Sequence, residues 1–225
     1  MRLTKEGIAV VEGDMLLSKQ VEVEGRLDVH EAHRLVDLME QYIHKDGVVV
    51  DVGACIGDHT IIYSDMVGKD GLVYAFEPNP LAFECLKWNT QSRDNILAYN
   101  FGLGATETLA SVIPDTYNIG ASRLTNDNHG DIKIVPLDDI ASDVNFHWNR
   151  LDFMKIDAEG YEPLILAGAK KTLSRLRPVL LIEVSLEQLG QLGFTPEDVY
   201  NPLEELGYRF HRMDTVRHQF DLLCI

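Results

Sequence analysis

The chain has 225 residues, 45% of them hydrophobic and 25% charged, with a formal net charge of −16. That length and composition suit one sizeable core in an ordinary globular domain. So acidic a chain argues against nucleic acid, which needs a lysine and arginine surface, and against anionic membranes, and leaves a small or neutral partner.

The amino-terminal MRLTKEGIAVVEGD has too short an apolar run for a signal peptide or a membrane span. Cys55, Cys85 and Cys224 form neither a metal-type pair nor a disulfide framework, so reduced thiols and a cytoplasmic setting are expected. Residues 1–27 alternate apolar and polar in pieces (IAVVEGDMLLS, then VEVEG), which predicts one or two short strands or a hairpin around Gly13-Asp14. Asp28 with Glu31 has the spacing of a capping box, and Val29 through Ile43 carry apolar residues at helical intervals. His30 and His33 share a face of that helix and are read as solvated or packing side chains.

VVVDVGACIGDHT, residues 48–60, is the organising stretch. The β-branched run Val48–Val50 predicts a strand buried on both faces, and Gly53 and Gly57 bracket a tight turn that opens a helix. Strand, glycine turn and helix make a device that lets backbone approach an anionic group. The pattern D-x-G-x-x-x-G is not the dinucleotide fingerprint G-x-G-x-x-G. Glu77 follows a second strand, 72–76, at the distance expected of a ribose-binding carboxylate, so a nucleoside-type cofactor is expected. Pro78 and Pro80 force a stop and a restart, and Leu81–Gln91 is helical. A third strand, 96–101, precedes a further strand at 106–113 and a polar stretch at 114–130, either a long loop or a lid. Residues 132–140 resume with a strand and the acidic pair Asp138-Asp139, read as a solvated helix start.

Asp152–Ile156 is the next core strand, followed by Asp157-Ala158-Glu159-Gly160 and a helix from Pro163 to Leu176. VLLIE at 179–183 is a buried strand ending in Glu183. A helix starts at Thr195-Pro196, Pro202 splits that region in two, and residues 208–212 and 220–225 form a closing hairpin. Strands alternating with helices predict a mostly parallel sheet covered on both faces, with ligands outside the strands' carboxyl ends. Asp51, Glu77, Asn100, Asp157 and Glu183 all fall at such ends.

DVGACIGDHT, FEPNP after Ala75, PLDDI at 136–140 and FMKIDAEGYE at 153–162 together resemble the FkbM family of S-adenosylmethionine-dependent methyltransferases. The similarity runs from about residue 46 to 210, with Cys55 where the family usually has Asn. It implies an α/β, Rossmann-like class I methyltransferase fold with a seven-stranded sheet and a C-terminal antiparallel hairpin. Residues 46–225 would be the methyltransferase domain, and residues 1–45 strands and a helix packed on it. The implied activity is methyl transfer to a hydroxyl of a sugar, in a glycan or glycosylated small molecule. The glycine turn would hold the cofactor's amino-acid head, Asp51 its ammonium, Glu77 the ribose diol, and Asn100 to Gly102 the adenine. The whole expected cofactor set is Asp51, Gly53, Ala54, Gly57, His59, Thr60, Glu77, Pro78, Asn79, Asn100, Gly102 and Asp157. NIGASRL at 118–124 would border the acceptor. Asp157, and next Glu159, are the candidate bases for deprotonating the acceptor. Some related sugar methyltransferases use Mg²⁺ held at strand ends, where Asp157 with Asp138 or Glu183 could form an oxygen-rich set; no metal ligand is assigned. The alternatives are a nicotinamide-dependent oxidoreductase, disfavoured by the missing G-x-G-x-x-G, and a non-catalytic nucleotide- or glycan-binding module.

Overall fold

A computed structural model of the chain describes residues 1–27, 38–125, 127–143, 148–216 and 218–225. At the amino end β1 (Arg2–Leu3) and β2 (Ala9–Val10) pair antiparallel, and α1 (Leu17–Glu24) follows. Both departures from expectation here have a local cause. The hairpin turns between Leu3 and Ala9 rather than at Gly13-Asp14, and VEVE belongs to a helix. Leu17 and Val21, one helical turn apart, are both buried, while Val23 is 76% exposed. A strand would have put Val21 and Val23 on one face. Gly25, in left-handed backbone, closes the helix by donating its N–H to the Val21 carbonyl. Asp28, Glu31, His30 and His33 lie outside the described residues; at the far end of that predicted helix Met39 and Ile43 are buried.

The central layer begins with β3 (Val48–Val52), α2 (Asp58–Val67), β4 (Leu72–Phe76), α3 (Pro80–Thr90) and β5 (Ile96–Tyr99). An outlying patch follows: β6 (Gly102–Leu103), β7 (Thr108–Ala110), β8 (Val112–Ile113), β9 (Arg123–Leu124) and β10 (Ile132–Val135). The chain then re-enters the layer through α4 (Leu137–Ser142), β11 (Phe153–Ile156), α5 (Glu162–Ala167), α6 (Lys170–Leu176) and β12 (Val179–Ser185). It ends with α7 (Leu186–Gln191), α8 (Glu197–Glu205), β13 (Phe210–Val216) and β14 (Gln219–Cys224). The seven-stranded sheet has the order β13-β14-β12-β11-β3-β4-β5, and only the pairings of β14 are antiparallel. Val50, Val52, Tyr74, Phe76, Met154 and Ile156 fill one face, and Val49, Val73, Phe153 and Leu181 pack with Tyr63 of α2 on the other. No helix among the described residues is long and apolar enough to cross a membrane.

Three predicted elements are divided differently. TETLASVI is two strands in separate sheets, broken where the Ser111 N–H donates to Thr125 Oγ1. The helix expected to run to Leu176 breaks at Gly168, where a Cβ would lie 1.9 Å from the Gly104 carbonyl oxygen. Asp138 explains the restart: its carboxylate accepts the Lys171 and Thr172 N–H groups and caps α6. Pro202, expected to split its region, sits inside α8, because losing one backbone bond is outweighed by the buried Val199 and Leu203.

The turn after β3 depends on one glycine. Gly53 has φ +79°, and a Cβ there would fall 1.8 Å from the Asp157 carbonyl oxygen. Gly53→Ala should therefore cost roughly 3 kcal/mol and lower the melting temperature by about 6–12 °C. Unchanged melting would show that the two strand-end loops do not meet this closely.

Candidate functional site

Beyond the carboxyl ends of β3, β4, β11 and β12 lies a cavity of about 460 Å³, within the range of cofactor sites. Its lining includes Gly53, Cys55, Asp58, His59, Phe76, Glu77, Pro78, Gly102, Leu103, Lys155, Asp157, Glu159 and Glu183. Leu17, Asn118, Ile119, Gly120, Ser122 and Leu124 form a further wall, and Gln219, Phe220 and Asp221 reach in from β14. Of the expected cofactor residues, Gly53, His59, Glu77, Pro78, Gly102 and Asp157 line this space, and Asp51, Ala54, Gly57, Thr60, Asn79 and Asn100 are not part of its lining.

Those six have other work. The Gly53 and Ala54 N–H groups both donate to the Phe76 carbonyl, and the Gly57 N–H donates to Ala54. The glycine turn is thus a self-bonded scaffold, and the donors left for a ligand belong to the first turn of α2, from Asp58. Asn79 caps α3 through the Leu81 N–H, and the Asn100 amide holds the Glu77 and Pro78 carbonyls. Asp51 is fully buried. Its Oδ2 accepts from Thr60 Oγ1 at 2.6 Å, while Oδ1 has no hydrogen-bond partner among the described residues. Asp51 thus ties β3 to the first turn of α2. Asp58, which the sequence reading passed over as a helix opener, is the carboxylate that does line the cavity there.

Glu77 joins two loops. Its Oε2 accepts the Cys55 N–H at 2.8 Å and its Oε1 the Asn79 N–H at 2.7 Å. Burial raises its carboxyl to about 7 in spite of both bonds. Cys55 holds φ +48°, left-handed backbone that Asn adopts more readily, and burial keeps its thiol protonated.

Lys155 is the ammonium at the base of the cavity. Lys155 and Asp51 are register partners on β11 and β3, and the Lys155 Nζ pairs with Asp157 Oδ2 at 2.7 Å. Burial opposes its charge, but the Asp157 and Asp51 carboxylates override that and hold Lys155 well above its usual value. Burial likewise pushes Asp157 up, and Lys155 more than reverses it, so Asp157 stays ionised. Burial raises Glu159 to about 8 and Glu183 to about 9, each reinforced by the Asp157 charge. Asp157 is consequently a poor proton acceptor, whereas Glu159 is close to the value a base needs near neutrality. Glu159 also holds φ +55° and carries a buried Oε2 with no hydrogen-bond partner among the described residues.

Oxygens of Asp157, Glu159 and Glu183 lie within 4.8 Å of one another, a donor set that could meet a cation. Asp138, the other expected contributor, is occupied at α6. The Lys155 ammonium, with protons on Glu159 and Glu183, already offsets the charge of this group.

A family model described as the methyltransferase FkbM domain matches residues 51–210. No curated protein matches the chain. Among solved structures, methyltransferase FkbM from Methylobacillus flagellatus KT superposes with TM-score 0.53 at 21% identity, over 80% of this chain and 44% of that one. The chain thus spans less than half the length of that relative. A precorrin-6y C5,15-methyltransferase from Geobacter metallireducens GS-15 gives TM-score 0.52 at 15% identity, covering 98% and 95%. Aeropyrum pernix fibrillarin, solved with natively bound S-adenosyl-L-methionine, gives 0.52 at 11%, covering 86% and 74%. At these identities the likeness is one of fold, the class I methyltransferase sheet.

Glu77 and Glu162 near 7, Glu159 near 8 and Glu183 near 9 all bind protons more tightly folded than unfolded. Their contribution to stability is complete below the unfolded value of 4.5 and is lost as pH rises through 7 to 9. The melting temperature should fall from pH 6 to pH 9, and Glu183→Gln should flatten the upper part of that fall. A profile rising toward pH 9 would contradict the protonated cluster.

Proposed function

From the premise that the chain belongs to the FkbM-domain methyltransferase family, we propose that it binds S-adenosylmethionine and methylates a hydroxyl of a sugar, in a glycan or a glycosylated small molecule. The observation that carries this reading is the cavity beyond the strand ends, where Glu77 and the first turn of α2 face one space. When bound, the cofactor supplies an electrophilic methyl group on a sulfonium centre.

The chain's residues have distinct tasks in this reading. The first turn of α2 meets the carboxylate of the amino-acid head with N–H groups and Asp58 meets its ammonium. Glu77, braced by two backbone donors, faces the ribose diol. Phe76, Pro78, Leu103 and Leu124 would make the apolar slot for the adenine beside Gly102, where a Cβ would lie 3.1 Å from Leu124 Cδ1. Asp157, kept ionised by Lys155, puts negative charge beside the reaction centre. Glu159, once it has given up its own proton near pH 8, would in its ionised form take the acceptor proton. No step is assigned to Mg²⁺.

The acceptor class rests on the family and on charge. Among the described residues Lys155 is the one lysine or arginine that lines the cavity, and it is already paired with Asp157, so a phosphate would meet no free cation and a neutral polyol enters more readily. A cytoplasmic location accords with the free thiols.

S-adenosylhomocysteine should raise the melting temperature and NAD should not. With methyl-labelled cofactor, label should pass to neutral sugars or glycans rather than nucleotide sugars. Asp157→Asn should abolish transfer while keeping affinity for S-adenosylhomocysteine, which a pure binding module would not predict. Label in no carbohydrate would remove the acceptor assignment, and stabilisation by NAD alone would remove the cofactor.

A further inference from the structure

The cavity is not completed by the family domain. Leu17 lines it from α1, outside residues 51–210, beside Ile119 in the polar stretch between β8 and β9. Leu17, Val10 and Val21 pack with Ile119 and Ile56 in one buried cluster, so these distant segments share a wall. Three polar contacts fasten it. Asp14, only 9% exposed, accepts the Ser18 N–H on Oδ2 and the Ile119 N–H on Oδ1 at 3.0 Å. The Met15 N–H donates to the Tyr117 carbonyl at 3.0 Å. Ser18 Oγ, in turn, accepts the Val11 N–H and ties the start of α1 back to β2.

A buried carboxylate is costly unless its lone pairs are met by donors, and here the donors are backbone groups from both sides of the wall. Asp14 can be satisfied in this way only when the α1 start and the Ile119 turn are together. Trp88 and Asn89 of α3 anchor the rest of the amino-terminal segment through the Gly7 and Ala9 backbone. The segment is therefore held at both ends of its path, with Asp14 at the end next to the cavity.

We propose that Asp14 is a positioning residue for cofactor binding: it pins Leu17 and Ile119 as an apolar wall that retains the nucleoside. The inference rests on the cofactor reading above. Loss of the clasp leaves the first turn of α2, Glu77 and the carboxylate group in place, so it raises the rate of ligand departure and KM for the cofactor more than it lowers kcat.

The experiment measures S-adenosylhomocysteine affinity and dissociation rate for the full chain and for Asp14→Ala, Asp14→Asn and Leu17→Ala. Asp14→Ala should bind about tenfold more weakly, chiefly through faster dissociation. Asp14→Asn, which keeps one oxygen acceptor, should recover part of that loss. Leu17→Ala should weaken binding with the clasp intact, and it carries the test if Asp14→Ala does not fold. Wild-type affinity in both Asp14→Ala and Leu17→Ala would overturn the proposal alone. A wild-type chain that binds no S-adenosylhomocysteine would overturn the cofactor reading and this proposal with it.

Discussion

The buried ammonium of Lys155 is the interaction on which the site's electrostatics turn. It lies 2.7 Å from Asp157 and beside Asp51 on the neighbouring strand. Without a cation there, two carboxylates in a low-dielectric layer would compete for protons. With it, Asp157 stays charged, while burial, reinforced by that charge, raises Glu159 and Glu183. Burial and one lysine together sort three neighbouring acids into an anion and two proton carriers. Pairs of carboxyls driven apart in this way are what acid–base chemistry at neutral pH requires.

Around that centre, the loops are braced chiefly by one another. Glu77 takes a backbone N–H from the β3–α2 turn and another from its own loop, Asn100 holds the Glu77 and Pro78 carbonyls, and Gly53 sits against the Asp157 backbone. Each strand end is thus positioned by the next. The cavity's geometry is a property of the parallel sheet's register, with little left to side-chain flexibility. That is how an acidic cavity keeps its shape while its members repel.

Much of this was legible in the residue order because buried parallel strands advertise themselves. VVVDV, LVYAF, FMKI and VLLIE are short apolar runs closed by a carboxylate or a glycine, and all became neighbouring strands. Glu77 and Asp157 directly follow their strands, whereas Asp51 lies within β3 and Glu183 within β12, which runs on to Ser185. Which way they point was not legible. Asp51 is bonded by Thr60 of α2 and Asp157 is paired with Lys155 of its own strand, and both partners follow from register and helix packing. Asp138 looked like surface because its partners are backbone groups of α6, 33 and 34 residues away. The VEVE segment misled because alternation over four residues also fits a helix with one buried stripe, and burial decided the matter.

The order of the sheet carries a consequence for how the chain comes into being. β14, residues 219–224, lies between β12 and β13, so it is an interior strand although it follows the sheet's other six strands in the chain. While a nascent chain emerges from the ribosome, β12 keeps an unpaired apolar margin, rich in Val, Leu and Ile, until that late segment arrives. The five parallel strands can gather early, but they stay open to wrong partners on that side. Aggregation during production should accordingly be governed by the closing of this one seam rather than by the melting of the finished sheet.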